Sequence, residues 1–145
     1  VKRVFLFECL TSIAADDLKQ LKWGHIHSKT VYEDKQSITV FKLTYKRGKT
    51  ERTNKPVSMI LDTAIMAMLG ERGKNENYIF PRLISTFHYN KMIKKLMIEA
   101  GIDKHITSHC GRATAIIRVI ESEGIYQAKE QAGHSDISTT LIYAQ

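Results

Sequence analysis

The chain has 145 residues, 43% of them hydrophobic and 26% charged, with two prolines, eight glycines and two cysteines. That length suits one domain with a sizeable core, and the proportions exclude a disordered chain, a collagen-like repeat and a disulfide-stapled miniprotein. Twenty-two Lys and Arg against fifteen Asp and Glu leave a net charge of +7, which favours a polyanionic partner, nucleic acid being the commonest.

The chain opens at Val1, without a methionine, inside an expected helix, which is the pattern of a piece of a longer protein. Val1 to Leu10 is apolar almost all round, as a buried helix should be, and Thr11-Ser12 interrupts it. A second short helix is expected from Ala15 to Trp23, with Leu18 and Leu21 inward and Asp16-Asp17 at its dipole-favoured start. Ser37 to Tyr45 alternates as a strand does; Lys46-Arg47-Gly48-Lys49 makes a basic turn, and a second strand follows from Thr50 towards Val57, ending near Pro56. A helix is expected over Ser58 to Leu69, with Gly70 as its stop.

Tyr89, Met92, Ile93, Leu96, Met97 and Ala100 recur at helical spacing before Gly101, a core stripe opposite Lys91, Lys94 and Lys95. Thr107 or Ser108 caps the next helix, whose inward face is expected at Ala113, Ile116, Ile117 and Ile120. Short helices at Ile125 to Ala132 and Ile137 to Ala144 complete the chain. The fold class is therefore α+β: one mostly helical domain spanning 1–145 with a small antiparallel hairpin. No apolar run approaches the ~20 residues that cross a bilayer, and no signal-peptide pattern opens the chain. Cys9 and Cys110 fit a reducing compartment better than a secreted framework.

Several side chains carry chemistry. His109 and Arg112 lie three apart at a helix start, Gly133-His134 falls at a helix break, and Tyr143 follows His134 by nine residues. With Lys49 in the basic turn, these residues suit phosphoryl transfer: a Tyr to attack phosphorus, cations to hold charge, and a Lys or His to move protons. Singly, each has a plainer reading as a cap, a packing residue or a solvated charge. The order and spacing of the whole set give it meaning.

That ordered set resembles the catalytic domain of the tyrosine recombinase (phage integrase) family over nearly the whole chain. Thr11-Ser12-Ile13-Ala14-Ala15-Asp16-Asp17-Leu18 with Leu21-Lys22-Trp23 is similar to the family's first box, and Lys49-Thr50 before Pro56-Val57-Ser58 to its hairpin lysine motif. Tyr78-Ile79-Phe80-Pro81, His109-Cys110-Gly111-Arg112, Ala132-Gly133-His134-Ser135 and Thr139-Thr140-Leu141-Ile142-Tyr143-Ala144 match the remaining segments in order. The resemblance implies a site-specific recombinase in which Tyr143 attacks a DNA phosphodiester and forms a 3′-phosphotyrosyl link. Arg112 then clamps the non-bridging oxygens, Lys49 protonates the leaving 5′-oxygen, His109 assists proton movement and His134 hydrogen-bonds the phosphate. No metal or nucleotide cofactor is implied. The implied partner is double-stranded DNA, in a tetrameric synapse of the full-length protein, in a bacterial cytoplasm and with no membrane.

One position departs from the pattern. Where the family's first box carries its other catalytic arginine, this chain has Ala14, whose methyl group offers a phosphate neither charge nor a hydrogen bond. The expectation is a weakened or inactive copy, unless another cation substitutes. Two other readings are a non-catalytic DNA-binding module of the same fold, and a type IB topoisomerase-like enzyme. A zinc site at His25, His27, His105, His109 or Cys110 lacks ligand pairs at the needed spacing.

Overall fold

A computed structural model describes residues 1–48 and 55–145. Helices α1 (Lys2–Thr11) and α2 (Ala15–Leu18) lead through a 3-10 turn (Trp23–His25) into strands β1 (Ile26–Glu33), β2 (Gln36–Tyr45) and β3 (Val57–Leu61). Helices α3 (Thr63–Leu69), α4 (Thr86–Glu99), α5 (Ser108–Glu123), α6 (Ile125–Ala132) and α7 (Ile137–Leu141) follow, and a 3-10 turn (Ile142–Ala144) closes the chain. The three strands form an antiparallel sheet in sequential order, with Ile26 opposite Leu43 and Tyr45 opposite Val57. The α+β class expected from the sequence is the one observed.

Most elements lie where expected, with instructive differences. Of the second strand expected from Thr50 towards Val57, residues 50–54 lie outside the described residues; the described strand is β3 at Val57–Leu61, which Pro56 precedes rather than ends. The start of the helix expected from Ser58 is therefore strand: Val57, Met59 and Leu61 are buried while Ser58 and Ile60 are exposed, the period of two that a sheet face imposes. Helix α3 begins only after Asp62, whose carboxylate accepts the Ile65 N–H at 2.7 Å. The helix expected over Ala15–Trp23 stops at Leu18, although Leu18 and Leu21 are both buried as expected.

Strand β1 was not expected. Its hairpin with β2 turns at Asp34 and Lys35, both at positive φ (48° and 64°), a conformation the sequence does not advertise with glycine. Only Ile26 of β1 is buried, so the strand has no apolar alternation to reveal it.

Among the described residues two clusters make the core. The larger joins Phe7, Ile13, Leu18, Leu21, Trp23, the sheet residues Leu43, Val57 and Leu61, and Tyr89 and Ile93 of α4. The smaller gathers Ile116, Val119, Ala128 and Ala132, with Tyr143 packed on it. Helix α1 is buried on one face only, at Phe7, Glu8 and Thr11, while Leu6 is exposed, so the expectation of burial all round fails. Helix α5 turns Gly111, Arg112, Ala115, Ile116 and Val119 inward; of the expected face Ile116 is buried and Ile120 packs against the smaller cluster, while Ile117 is exposed. The buried guanidinium of Arg112, not the apolar stripe alone, sets that face.

Inside the larger cluster, the buried Glu8 carboxyl accepts a hydrogen bond from the Tyr89 hydroxyl at 2.9 Å. Burial pushes the Glu8 carboxyl up to about 8, against the pull of that hydrogen bond and of the Arg112 charge. Glu8 is thus a protonated core residue at neutral pH.

Candidate active site

Two helix ends supply the walls. Helix α1 stops where Ser12 adopts left-handed backbone (φ 61°, ψ 12°) and its N–H closes on the Glu8 carbonyl at 2.9 Å. Helix α6 stops the same way at Gly133 (φ 66°, ψ 33°), where the N–H groups of Gly133 and His134 close on the Glu130 and Lys129 carbonyls, each at 3.1 Å. Both closures leave carbonyl oxygens available to a donor arriving from α5.

Arg112, in the second turn of α5, is that donor. Its Nη1 donates to the Ser12 carbonyl, and its Nη2 to the Ala132 carbonyl at 2.9 Å and to His134 Nε2 at 3.2 Å. A guanidinium only donates, so Nε2 of His134 holds the lone pair and the ring proton is on Nδ1. That proton is donated to the Thr140 hydroxyl at 2.8 Å. Burial, then the charges of Arg112, Arg47 and Lys129, push the His134 imidazole down to about 4, so it is neutral at pH 7.

Tyr143 lies in the C-terminal 3-10 turn, half-buried, its ring stacked on His134 with centroids 6.1 Å apart and planes 13° from parallel. The His109 ring is 6.4 Å from it at 46°. His109, Arg112, His134 and Tyr143, four of the residues singled out from the sequence, therefore converge at one place. Ala14 occupies the N-cap of α2, between Ser12, which holds Arg112, and Asp17. Lys49 lies outside the described residues.

The structure adds participants that the sequence did not single out as site residues. Arg47, just past β2, donates from Nη1 to the Gly133 carbonyl at 2.9 Å and brings Nε within 3.6 Å of Asp17 Oδ2. Asp17 also accepts the Gly48 N–H at 3.0 Å, fixing the chain as it leaves the strand. Asp17 and Thr140 fall inside quoted motif segments, which offered a hint of their use. Arg47 offered none beyond belonging to a basic turn.

This geometry can hold an anion between cations and set a phenol beside it. Comparison with known proteins points the same way. The profile described as the phage integrase family matches residues 4–145. Tyrosine recombinase XerD of Halalkalibacterium halodurans is 32% identical over 108 residues, covering 67% of this chain and 36% of that protein. Tyrosine recombinase XerC of Xanthomonas campestris pv. campestris is 34% identical over 76 residues, covering 49% and 24%. The chain thus spans about a third or less of the length of these relatives. Among solved structures, XerH recombinase bound to its difH substrate before cleavage superposes with a TM-score of 0.71 at 15% identity, over 99% of this chain and 42% of that one. XerA recombinase gives 0.68 at 22% identity, over 98% and 56%, a likeness of fold.

Proposed function

The chain belongs to the phage integrase family of tyrosine recombinases, and on that premise we propose that it is the catalytic domain of a site-specific DNA recombinase. The observation that carries this reading is the convergence of Tyr143, His134, Arg112 and His109 at one place. In the proposed reaction the Tyr143 oxygen bonds to the scissile phosphorus, the P–O5′ bond breaks, and a 3′-phosphotyrosyl link remains. Arg112, already held by two carbonyls, presents a planar cation to the non-bridging oxygens at little further ordering cost. His109, exposed beside the Tyr143 ring, takes part in moving the phenol proton. Lys49 enters through the family resemblance, as the acid for the leaving 5′-oxygen.

His134 has a two-state part in this scheme. Its Nε2 accepts from Arg112 in the free protein. When a phosphate takes over the Arg112 Nη2 donor that faces His134, the proton moves to Nε2, which donates to the phosphate, and the Thr140 hydroxyl turns to donate to Nδ1. A hydroxyl both donates and accepts, so Thr140 supports either tautomer without losing a bond. Double-stranded DNA is the proposed partner, held in a multimeric synapse of the whole protein in the cytoplasm.

Ala14 removes a guanidinium that the family pattern supplies. An arginine finger in other phosphoryl-transfer enzymes contributes about 10³- to 10⁵-fold, which sets the scale of what this copy loses if nothing substitutes. The test uses a pool of nicked duplex oligonucleotides with randomised sequence around the nick. The wild-type protein is expected to give denaturant-resistant protein–DNA adducts, and Tyr143→Phe none while retaining filter-bound DNA. DNA retention without any Tyr143-dependent adduct would overturn the reading in favour of a non-catalytic binding module.

A further inference from the structure

We infer that Arg47 is the second phosphate-binding guanidinium of this site, reaching from the end of β2 the place that the family's first box serves from position 14. The inference rests on the recombinase reading above and deepens it. Arg112 and Arg47 bridge the same two stretches of backbone. Arg112 joins the Ser12 carbonyl to the Ala132 carbonyl and His134. Arg47 joins Asp17 to the Gly133 carbonyl, the next acceptor along. Ala14 lies between Ser12 and Asp17 in the chain, so the carboxylate that Arg47 engages is three residues from the position where the family pattern carries its first-box arginine.

The seating of Arg47 is built rather than incidental. Its side chain is 13% exposed, far from the solvated state usual for a basic turn residue. Gly133 makes the seat: a Cβ there would meet Arg47 Cδ and Val57 Cγ2, each at 2.6 Å. The Asp17 carboxylate and the Gly133 carbonyl fix the guanidinium from two sides. Two guanidiniums, Arg47 and Arg112, against the one carboxylate of Asp17 leave these three side chains net positive, as an anion-binding place requires. The Arg47 charge is felt by both partners, lowering the proton affinity of Arg112 and of His134 after the larger effect of burial.

In the transition state Arg47 and Arg112 then share the non-bridging oxygens while the Tyr143–phosphorus bond forms and the bond to O5′ breaks. The test uses the same randomised nicked pool with Arg47→Gln, which keeps a neutral donor for the Gly133 carbonyl. Adduct formation is expected to fall about 10²- to 10³-fold, with filter-bound intact duplex and the urea midpoint within about twofold of wild type. Ala14→Arg is expected to recover at least about tenfold in the Arg47→Gln background and to change the wild-type chain by less than about threefold. Arg47→Gln at the wild-type rate would overturn the inference, as would a loss matched by equal loss of DNA retention or folding. So would a double variant no better than Arg47→Gln, or an Ala14→Arg gain equal in both backgrounds. Failure of the wild-type protein to give any Tyr143-dependent adduct would instead sink the recombinase reading and this inference with it.

Discussion

Tyr143 and His134 stack nearly parallel, 13° apart, and the edge of the His134 ring is at the same time bonded to Arg112. The imidazole therefore links the phenol to the buried cation. It does so in one tautomer, because Arg112 cannot accept a hydrogen bond and Thr140 takes the remaining proton. Any change in the ring's support should be felt at the phenol.

Thr140→Val tests that support. Valine matches the shape of threonine but leaves the His134 Nδ1–H without its buried partner. Urea unfolding should show a loss of about 1–3 kcal/mol, the usual penalty of a buried unpaired donor. Adduct formation should slow as well, because the ring loses the group that lets it exchange tautomers. Unchanged stability with normal adduct formation would exclude the proposed tautomer.

The pH dependence of stability should carry two opposed contributions. The Glu8 carboxyl is raised from 4.5 to about 8 in the folded chain, so its contribution is complete below about 4.5 and is lost as pH rises through about 8. His134 is lowered from 6.5 to about 4, so its contribution is complete above about 6.5 and is lost as pH falls through about 4. Each slope is at most about 1.4 kcal/mol per pH unit where the group titrates. They oppose one another between about 4.5 and 6.5, leaving the Glu8 decline alone above that interval. Glu8→Gln keeps the neutral shape and an acceptor for Tyr89. In a urea series across pH, the variant should lose the decline above about 6.5 and show only the rise below it. A wild-type decline that survives in Glu8→Gln would assign it to another group.

Gly133→Ala probes the seat of Arg47. Left-handed backbone at φ 66° disfavours alanine by about 1–2 kcal/mol, and the added methyl group also meets Arg47 and Val57. A total loss of about 2–4 kcal/mol in urea is expected. Adducts measured well below the unfolding transition should also fall, since Arg47 must move. A stable variant with wild-type adduct formation would show that the close approach is dispensable.

Legibility in the sequence followed how local each feature is. Thr107 caps its helix, and Gly70, Gly101 and Gly133 end theirs at positive φ; a side chain or a missing Cβ acts there within one turn. Ser58-Met59-Ile60-Leu61 was ambiguous because a short apolar run suits a strand or a helix until a partner strand chooses. Strand β1 was silent because seven of its eight residues face solvent.

The candidate site divides along the same line. His109, Arg112, His134 and Tyr143 were legible as a set through their order and spacing and the family resemblance these carry, since both survive in the linear chain. The inward phase of α5, the tautomer of His134 and the enclosure of Arg47 against Gly133 were decided by the fold. Each depends on a carbonyl, a carboxylate or an absent Cβ brought from a distant segment, 86 residues away for Arg47 and Gly133 and 100 for Arg112 and Ser12. A residue type states what a side chain can donate or accept, and only the packed chain supplies what stands within reach of it.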